Sequence, residues 1–352
     1  MPSWRRSAAT GRAASRPATV YRGRFAPSPS GWLHLGNART ALFAWGRARA
    51  AGGSFLMRVD DLDGPRTRPA AVMGNLAELR WLGLDWDEGP DVGGPHGPYR
   101  QSERLSSYEA AIARLANAGH LFECYLSRRE IAQASAGGHG VDDAGEGPAG
   151  EAARVYGAAQ RALNERLAAD RRREGRVPSL RFRVPDATVS FEDGVQGRVT
   201  VELRRDVGDF VVVRADGQVA YQLAVVVDDA AMGVTEVARG ADLLSSTAAQ
   251  VLLYDALGLP RPRFAHVGLM LGPDGEKLSK RGGALSLHEL RVAGADPHAV
   301  LGLLARSLLW HEGGPVTARE LRERLHAVGA EAPAAAVTLS PEDLAALVSV
   351  DS

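Results

Sequence analysis

The apolar positions of this chain change period in blocks, and the blocks predict an α/β fold. Phe25-Ala26 is a short apolar segment that breaks at Pro27-Ser28-Pro29-Ser30-Gly31, where two prolines and a glycine disfavour regular structure. The pattern resumes at His34-Leu35-Gly36-Asn37 and runs as a helix over residues 38–51. After Gly52-Gly53, residues 55–59 read as a strand that delivers Asp60, Asp61 and Asp63 at its carboxyl end. Open α/β sheets place ligands at that end. A solvated turn, or ion pairs to Arg66 or Arg68, would also account for these carboxylates. Val72, Leu76, Leu79 and Leu82 recur at helical spacing within 69–82, and 107–118 is another helix. Residues 24–119 therefore read βαβα, and the pattern lapses over 120–201.

The second half resumes the alternation. Residues 210–213, the turn Asp216-Gly217 and the nearly all-apolar run 221–227 predict a strand, a turn and a second strand buried on both faces. That run ends at Asp228-Asp229. Helices follow over 246–257 and most of 285–309, and 317–328 and 340–348 each read as a short capped helix.

Strand, tight polar turn and helix N-terminus form the layout of a nucleotide-phosphate site, because free N–H groups and the helix dipole favour negative charge. Gly36 lets the backbone approach a ligand, and His34 can donate to a phosphate oxygen. A second stretch far down the chain strengthens this reading: Gly275-Glu276-Lys277-Leu278-Ser279-Lys280-Arg281-Gly282-Gly283. Lys277 and Lys280 are the only lysines, and the other 40 of the 42 basic residues are arginine. A chain so biased toward Arg keeps Lys where a compact, mobile ammonium is needed.

Composition adds bounds. The 352 residues are 45% hydrophobic and 24% charged, enough for a large core in one or two domains. No apolar run approaches a membrane span. The single cysteine excludes an internal disulfide and suits a reducing compartment, so a cytoplasmic location is expected. Net charge is zero, 42 basic against 42 acidic, so any RNA contact must come from local basic patches. One such patch is the 161–183 run, with eight arginines and three acids; a solvated helix face is the alternative. Residues 1–20 are rich in Arg, Ala and Ser and carry no acid. Without an apolar h-region they are no secretory signal, and a disordered basic tail is expected over 1–21.

His34-Leu35-Gly36-Asn37 and Lys277-Leu278-Ser279-Lys280-Arg281 resemble the two signature motifs of class I aminoacyl-tRNA synthetases. Six blocks, opening at Arg24, Leu56, Leu79, Tyr99, Tyr221 and Leu271, are similar in order to the glutamyl-tRNA synthetase catalytic core, over about residues 22–310. The resemblance implies a Rossmann-type core in two halves, 22–119 and 206–265, split by an α+β insertion at 120–205 that receives a tRNA end. A Lys loop with stem-contact helices at 266–313 and a short helical tail at 314–352 would follow. It implies ATP with Mg²⁺ and L-glutamate as ligands. His34, Lys277 and Lys280 would be catalytic, and His34, Gly36, Asn37 and Lys280 would hold ATP. Arg24, Phe25, Ala26, Pro27, Ser28, Asp60, Tyr221 and Arg239 would hold glutamate, with Arg239 pairing bidentately with a carboxylate. An ion pair of Arg239 with Asp228, Asp229 or Asp242 is the competing account. Asp60 stands where the family usually has Glu, and Asn37 stands where it has a second His.

In the glutamyl-queuosine branch the insertion often holds zinc through Cys-x-Cys and Tyr-x3-Cys. Here Cys124 and Tyr156 remain, while Leu126 and Gln160 occupy the other two positions. One thiolate and one phenol cannot close a tetrahedral site, so no zinc is expected and Cys124 reads as a buried thiol. The glycine-rich 134–150 reads as a flexible loop. Only 42 residues follow Trp310, which leaves no room for an anticodon-binding domain. Residues 239–243 read Arg-Gly-Ala-Asp-Leu where conventional glutamyl enzymes tend to read Arg-Gly-Glu-Asp-His. Both features resemble the glutamyl-queuosine branch, whose acceptor is tRNA(Asp) bearing queuosine. A truncated glutamyl-tRNA synthetase charging tRNA 3′ ends and a non-catalytic RNA-binding paralog are the alternatives. Neither a membrane partner nor an obligate oligomer is expected.

Overall fold

The structure, a computed structural model, describes residues 20–135, 155–276, 278 and 286–348. Most of the expected basic tail, most of the glycine-rich segment 134–150 and both lysines, Lys277 and Lys280, lie outside the described residues.

The first unit is β1 (Arg22–Phe25), α1 (Leu35–Ala50) and β2 (Ser54–Met57). β1 and β2 pair in parallel, Arg22 with Ser54 through Phe25 with Met57. α2 (Pro69–Trp81) and α3 (Leu105–Asn117) follow. The insertion supplies β3 (Leu121–Cys124), α4 (Arg128–Ser135), α5 (Ala158–Arg173), β4 (Ser179–Phe182), β5 (Thr188–Asp193), β6 (Gly197–Glu202) and β7 (Phe210–Val213). Strands β3, β4 and β7 form an antiparallel sheet. Its third strand lies beyond the boundary expected at residue 205. β5 and β6 form a hairpin, and the last residue of β5, Asp193, pairs in parallel with Phe264 of the core. The insertion is thus joined to β9 at the end of β5, where Gly194 N also donates to Phe264 O at 2.8 Å.

The core resumes with α6 (Tyr221–Ala231), β8 (Glu236–Gly240), α7 (Thr247–Ala256) and β9 (Arg263–Val267). β8 and β9 pair in parallel, and β1 lies along β8, where Thr235 N donates to Arg22 O at 2.9 Å. With β1 beside β8, the parallel pairs β1-β2 and β8-β9 make the Rossmann-type core expected. Apolar clusters cover the sheet, one built on α1 and the other on α3, α6 and α7.

Residues 221–227, expected as a strand, are the body of helix α6. Leu223, Ala224, Val225, Val226 and Val227 are all buried in one apolar cluster. A short run that is apolar all round carries no period, so it fits a helix enclosed by protein as well as a two-sided strand. The Asp216-Gly217 turn does form, but Val219 meets Val213 only as a single bridge before the helix begins. The helix places Asp228 and Asp229 in its last turns, both buried.

The final segments are β10 (Met270–Leu271), α8 (Leu287–Val292), α9 (Pro297–Ser307), α10 (Ala318–Val328), β11 (Val337–Thr338) and α11 (Pro341–Val348). α10 packs on α1, and Gly46 is needed there because a Cβ would lie 2.5 Å from the Trp310 ring. β11 pairs in parallel with β10. A Cβ on Gly268 would lie 1.9 Å from the Ala335 carbonyl oxygen, so only glycine admits this approach. No helix among the described residues is long and apolar enough to cross a membrane.

Candidate active site

The carboxyl ends of β1, β2 and β8 converge, and with them come Arg24, Arg58, Asp60 and Arg239. Arg58 is wholly buried. Its Nε donates to Asp60 Oδ1 at 2.7 Å and its Nη1 to Asp229 Oδ1 at 2.7 Å. Arg24 Nε donates to both Asp229 oxygens at 3.2 Å. Asp228 accepts from Arg104 Nε at 2.6 Å, Gln101 Nε2 at 2.8 Å and Tyr108 OH at 2.8 Å. Three guanidiniums meet three carboxylates, so the network is neutral in sum. Burial pushes Asp229 up, but Arg24 and Arg58 outweigh it and hold the carboxyl below its usual range. At Asp60 burial wins, and its pKa is raised despite Arg58. Both Asp60 oxygens face Arg58, the second at 3.3 Å from Nη2. This residue therefore anchors Arg58 before it can serve a substrate amino group.

Arg239 differs from these arginines. It is 4% exposed, yet no described carboxylate lies within ion-pair distance. The expected alternative pairing with Asp228 or Asp229 does not form, because Arg24, Arg58 and Arg104 take those carboxylates. Arg239 Nε donates to His266 Nε2 at 2.9 Å, and Nη2 donates to Thr247 Oγ1 at 2.9 Å and Leu243 O at 3.3 Å. Nη1 is buried and has no partner among the described residues. The bidentate pairing expected from the sequence thus has one nitrogen, Nη1, to work with. Burial depresses the Arg239 pKa, while Tyr221 is among its electrostatic neighbours, as are Arg24 and Asp229. Tyr221 is the first residue of α6 and half-buried.

The remaining residues of the β1 turn lie along one path. Phe25 is buried and its carbonyl accepts from Arg58 N at 3.0 Å; Ala26 and Pro27 are half-buried, with Pro27 O accepting from Asp60 N at 3.2 Å. Ser28 is exposed. The turn then enters α1 through His34, its N-cap. His34 Nδ1 accepts from Asn37 N at 3.3 Å, which leaves the ring proton on Nε2, and Asn37 Oδ1 turns back to accept from His34 N at 3.3 Å. Asn37 closes the cap of the helix with its side-chain oxygen. Gly36 has a specific reason to be glycine: a Cβ would sit 3.0 Å from His34 Cε1. The segment that follows the second motif reaches the His34 turn, since His34 bridges Ser286 and Leu287 N donates to Leu33 O at 2.8 Å.

The family of class I tRNA synthetases (E and Q), catalytic domain, matches residues 20–323. The chain belongs to this family. As a member it is a ligase of the class I aminoacyl-tRNA synthetase type, and ATP use is implied. It is 53% identical to a glutamyl-Q tRNA(Asp) synthetase of Symbiobacterium thermophilum over 85% of this chain and 90% of that one. It is 48% identical to a glutamate–tRNA ligase of Acidithiobacillus ferrooxidans, over 80% of this chain and 57% of that one. The glutamate tRNA ligase of Elizabethkingia meningosepticum, solved in complex with its amino acid, superposes with a TM-score of 0.77 at 29% identity, over 92% of this chain and 68% of that one.

The four family zinc positions meet in space. Cys124 Sγ donates to Tyr156 OH at 3.6 Å, Tyr156 OH donates to Gln160 O at 3.2 Å, and Gln160 Nε2 donates to Ile131 O at 3.2 Å. Leu126 is buried in the same apolar cluster as Cys124 and Tyr156. A thiol, a phenol and an amide already bonded to the backbone do not fit a tetrahedral zinc site. Sequence reasoning did not find Arg58, Arg104, Asp193 or His266. A histidine inside the apolar strand Phe264-Ala265-His266-Val267 was the available signal.

Proposed function

We propose that this chain activates L-glutamate with ATP, without tRNA, and then transfers the glutamyl group to the queuosine of tRNA(Asp). The observation that carries the amino-acid side is Arg239. A buried guanidinium with no ion-pair partner among the described residues and one unsatisfied nitrogen is unfavourable unless an anionic ligand completes it. The neighbouring charges are already balanced among themselves, so the site's unmet demand is for a carboxylate. The names of the relatives support the choice of glutamate and of the queuosine acceptor, as does Ala241-Asp242-Leu243.

In the first step a glutamate α-carboxylate oxygen attacks the α-phosphorus in line. The bond to the bridging oxygen breaks and pyrophosphate leaves. The nucleophile is already ionised, so no general base is needed, and positioning with charge stabilisation supplies the rate. His34 and the start of α1 hold the α-phosphate region. Lys280 and Lys277 neutralise charge moving onto pyrophosphate. Mg²⁺ would accompany the triphosphate and offset its charge. In the second step a hydroxyl of the cyclopentenediol attacks the glutamyl carbonyl, the bond to phosphate breaks and AMP leaves.

Glutamate-dependent ATP–pyrophosphate exchange without tRNA is the test, beside Lys280→Ala. Exchange that vanishes in the variant, followed by transfer to queuosine-bearing tRNA(Asp), supports the reading. Exchange seen only with tRNA(Glu) points instead to the charging enzyme that the 48% relative represents. No exchange under either condition favours a non-catalytic paralog.

A further inference from the structure

Asp193 and His266 have no part in the steps above, yet both side chains are completely buried, His266 bonded to Arg239 and Asp193 to His266. Asp193 ends β5, the strand that joins the insertion to the core sheet, and His266 is in β9. Asp193 Oδ1 accepts backbone N–H groups from Val195 at 3.0 Å, Gln196 at 2.9 Å and His266 at 3.0 Å. Its Oδ2 lies 2.5 Å from His266 Nδ1. Burial alone would raise this carboxyl, but the His266 ring and the backbone donors outweigh it and hold it well below the usual range. An ionised carboxylate can only accept, so the ring proton is on Nδ1. Nε2 then carries a lone pair, and Arg239 Nε donates to it at 2.9 Å. Thr247 Oγ1, 3.3 Å from the same nitrogen, takes Arg239 Nη2 on the other side.

We propose that Asp193 and His266 form a positioning relay that locks the Arg239 guanidinium so that Nη1 faces the amino-acid pocket. This rests on the reading of Arg239 as a carboxylate contact. The relay has a direction. The Asp193 carboxylate selects the tautomer, the tautomer makes His266 an acceptor, and the acceptor pins Nε. With Nε pinned by His266 and Nη2 by Thr247 and Leu243, the guanidinium plane has no freedom to turn. The opposite tautomer would set Nε2–H against Nε–H and expel Arg239 from its seat. Because Asp193 comes from the insertion, the element expected to meet RNA shares a hydrogen-bonded path with the amino-acid pocket.

Three substitutions separate the links. His266→Asn keeps a donor where Nδ1 sits and removes the acceptor for Arg239. His266→Gln can return an acceptor near Nε2. Asp193→Asn offers an N–H to Nδ1 and so favours the wrong tautomer. In the exchange assay, His266→Asn and Asp193→Asn are expected to raise the glutamate KM about ten-fold or more, as loss of a charge-assisted hydrogen bond would. The ATP KM should stay within about three-fold, and His266→Gln should recover most of the loss. A general folding defect would not split the two KM values in this way. The wild-type protein supplies an independent reading: imidazole ¹⁵N shifts should show His266 protonated at Nδ1 and not at Nε2. The opposite tautomer, or an unchanged glutamate KM in both Asn variants, overturns the relay while leaving the proposed function standing. Wild-type protein with no glutamate-dependent exchange overturns the proposed function, and the relay's purpose with it.

Discussion

Replacing Arg58 by Met should expose how the active-site floor is held together. Arg58 is wholly buried and contacts Asp60 and Asp229 at 2.7 Å each, with Asp228 at 3.7 Å. Its removal leaves three buried carboxylates facing two guanidiniums, Arg24 and Arg104. Breaking a buried ion pair by deleting one partner costs about 3–5 kcal/mol, because the stranded charge cannot be solvated. An unfolding entropy of about 2.1 cal/mol/K per residue gives a chain of this size roughly 0.7 kcal/mol/K. The expected fall in Tm at pH 8 is therefore about 4–7 °C. The pH dependence carries the sharper test. Burial already raises Asp60 above its ordinary 3.8, and Arg58 is what restrains it. Without Arg58 the folded-state carboxyls take up protons more readily than the unfolded chain does, so the deficit should shrink as pH falls from 8 to 5. Paired melting curves at the two pH values decide the matter. A deficit equal at both pH values, or a shift below about 1 °C at pH 8, would refute the argument that uncompensated charge is the cause.

Three further outcomes follow from the geometry. Gly36→Ala should lower the pyrophosphate-exchange rate roughly ten-fold while leaving Tm unchanged or slightly raised, since the added Cβ displaces the His34 ring but alanine favours the helix. His266 is held neutral by burial, its pKa lowered from 6.5, so the unfolded chain protonates first. Stability should be full above pH 6.5 and decline below it toward the folded-state pKa, and His266→Gln should flatten that decline in urea titrations at pH 7 and pH 5. Dialysis against a strong chelator should leave Tm within about 1 °C of its starting value and metal analysis should find no stoichiometric zinc, because Cys124, Leu126, Tyr156 and Gln160 brace one another without a metal.

The first βαβ unit is legible in the sequence because its signals are local: a proline-broken turn, a helix N-cap and a glycine pair before a strand. The run 221–227 is not, because an all-apolar stretch carries no period and only its neighbours decide between helix and strand. The same locality limits the site. Arg24, Asp60, Tyr221 and Arg239 can be named from motif text. What binds them cannot be named that way. Asp60 turns to Arg58 two residues away, Asp229 reaches across more than two hundred positions to Arg24, and Arg239 answers to a histidine on the next strand. Those partnerships exist only once the parallel sheet sets its register, Arg239 opposite His266.

The pairing of β10 with β11 also sets an order of events during synthesis. Leu269 and Leu271 offer carbonyls to Val337 N and Leu339 N, and Gly268 N waits for Pro333 O. Those partners leave the ribosome well after the Rossmann strands have emerged. The strand that leads into the lysine-bearing segment therefore has an open edge while most of the molecule is already free to fold. A nascent chain can pair its parallel Rossmann strands early and still leave β10 without its partner. Under the role proposed for Lys280, competence should arrive late and abruptly, when residues 330–339 dock, and a ribosome stalled a few codons short would carry a folded but silent chain.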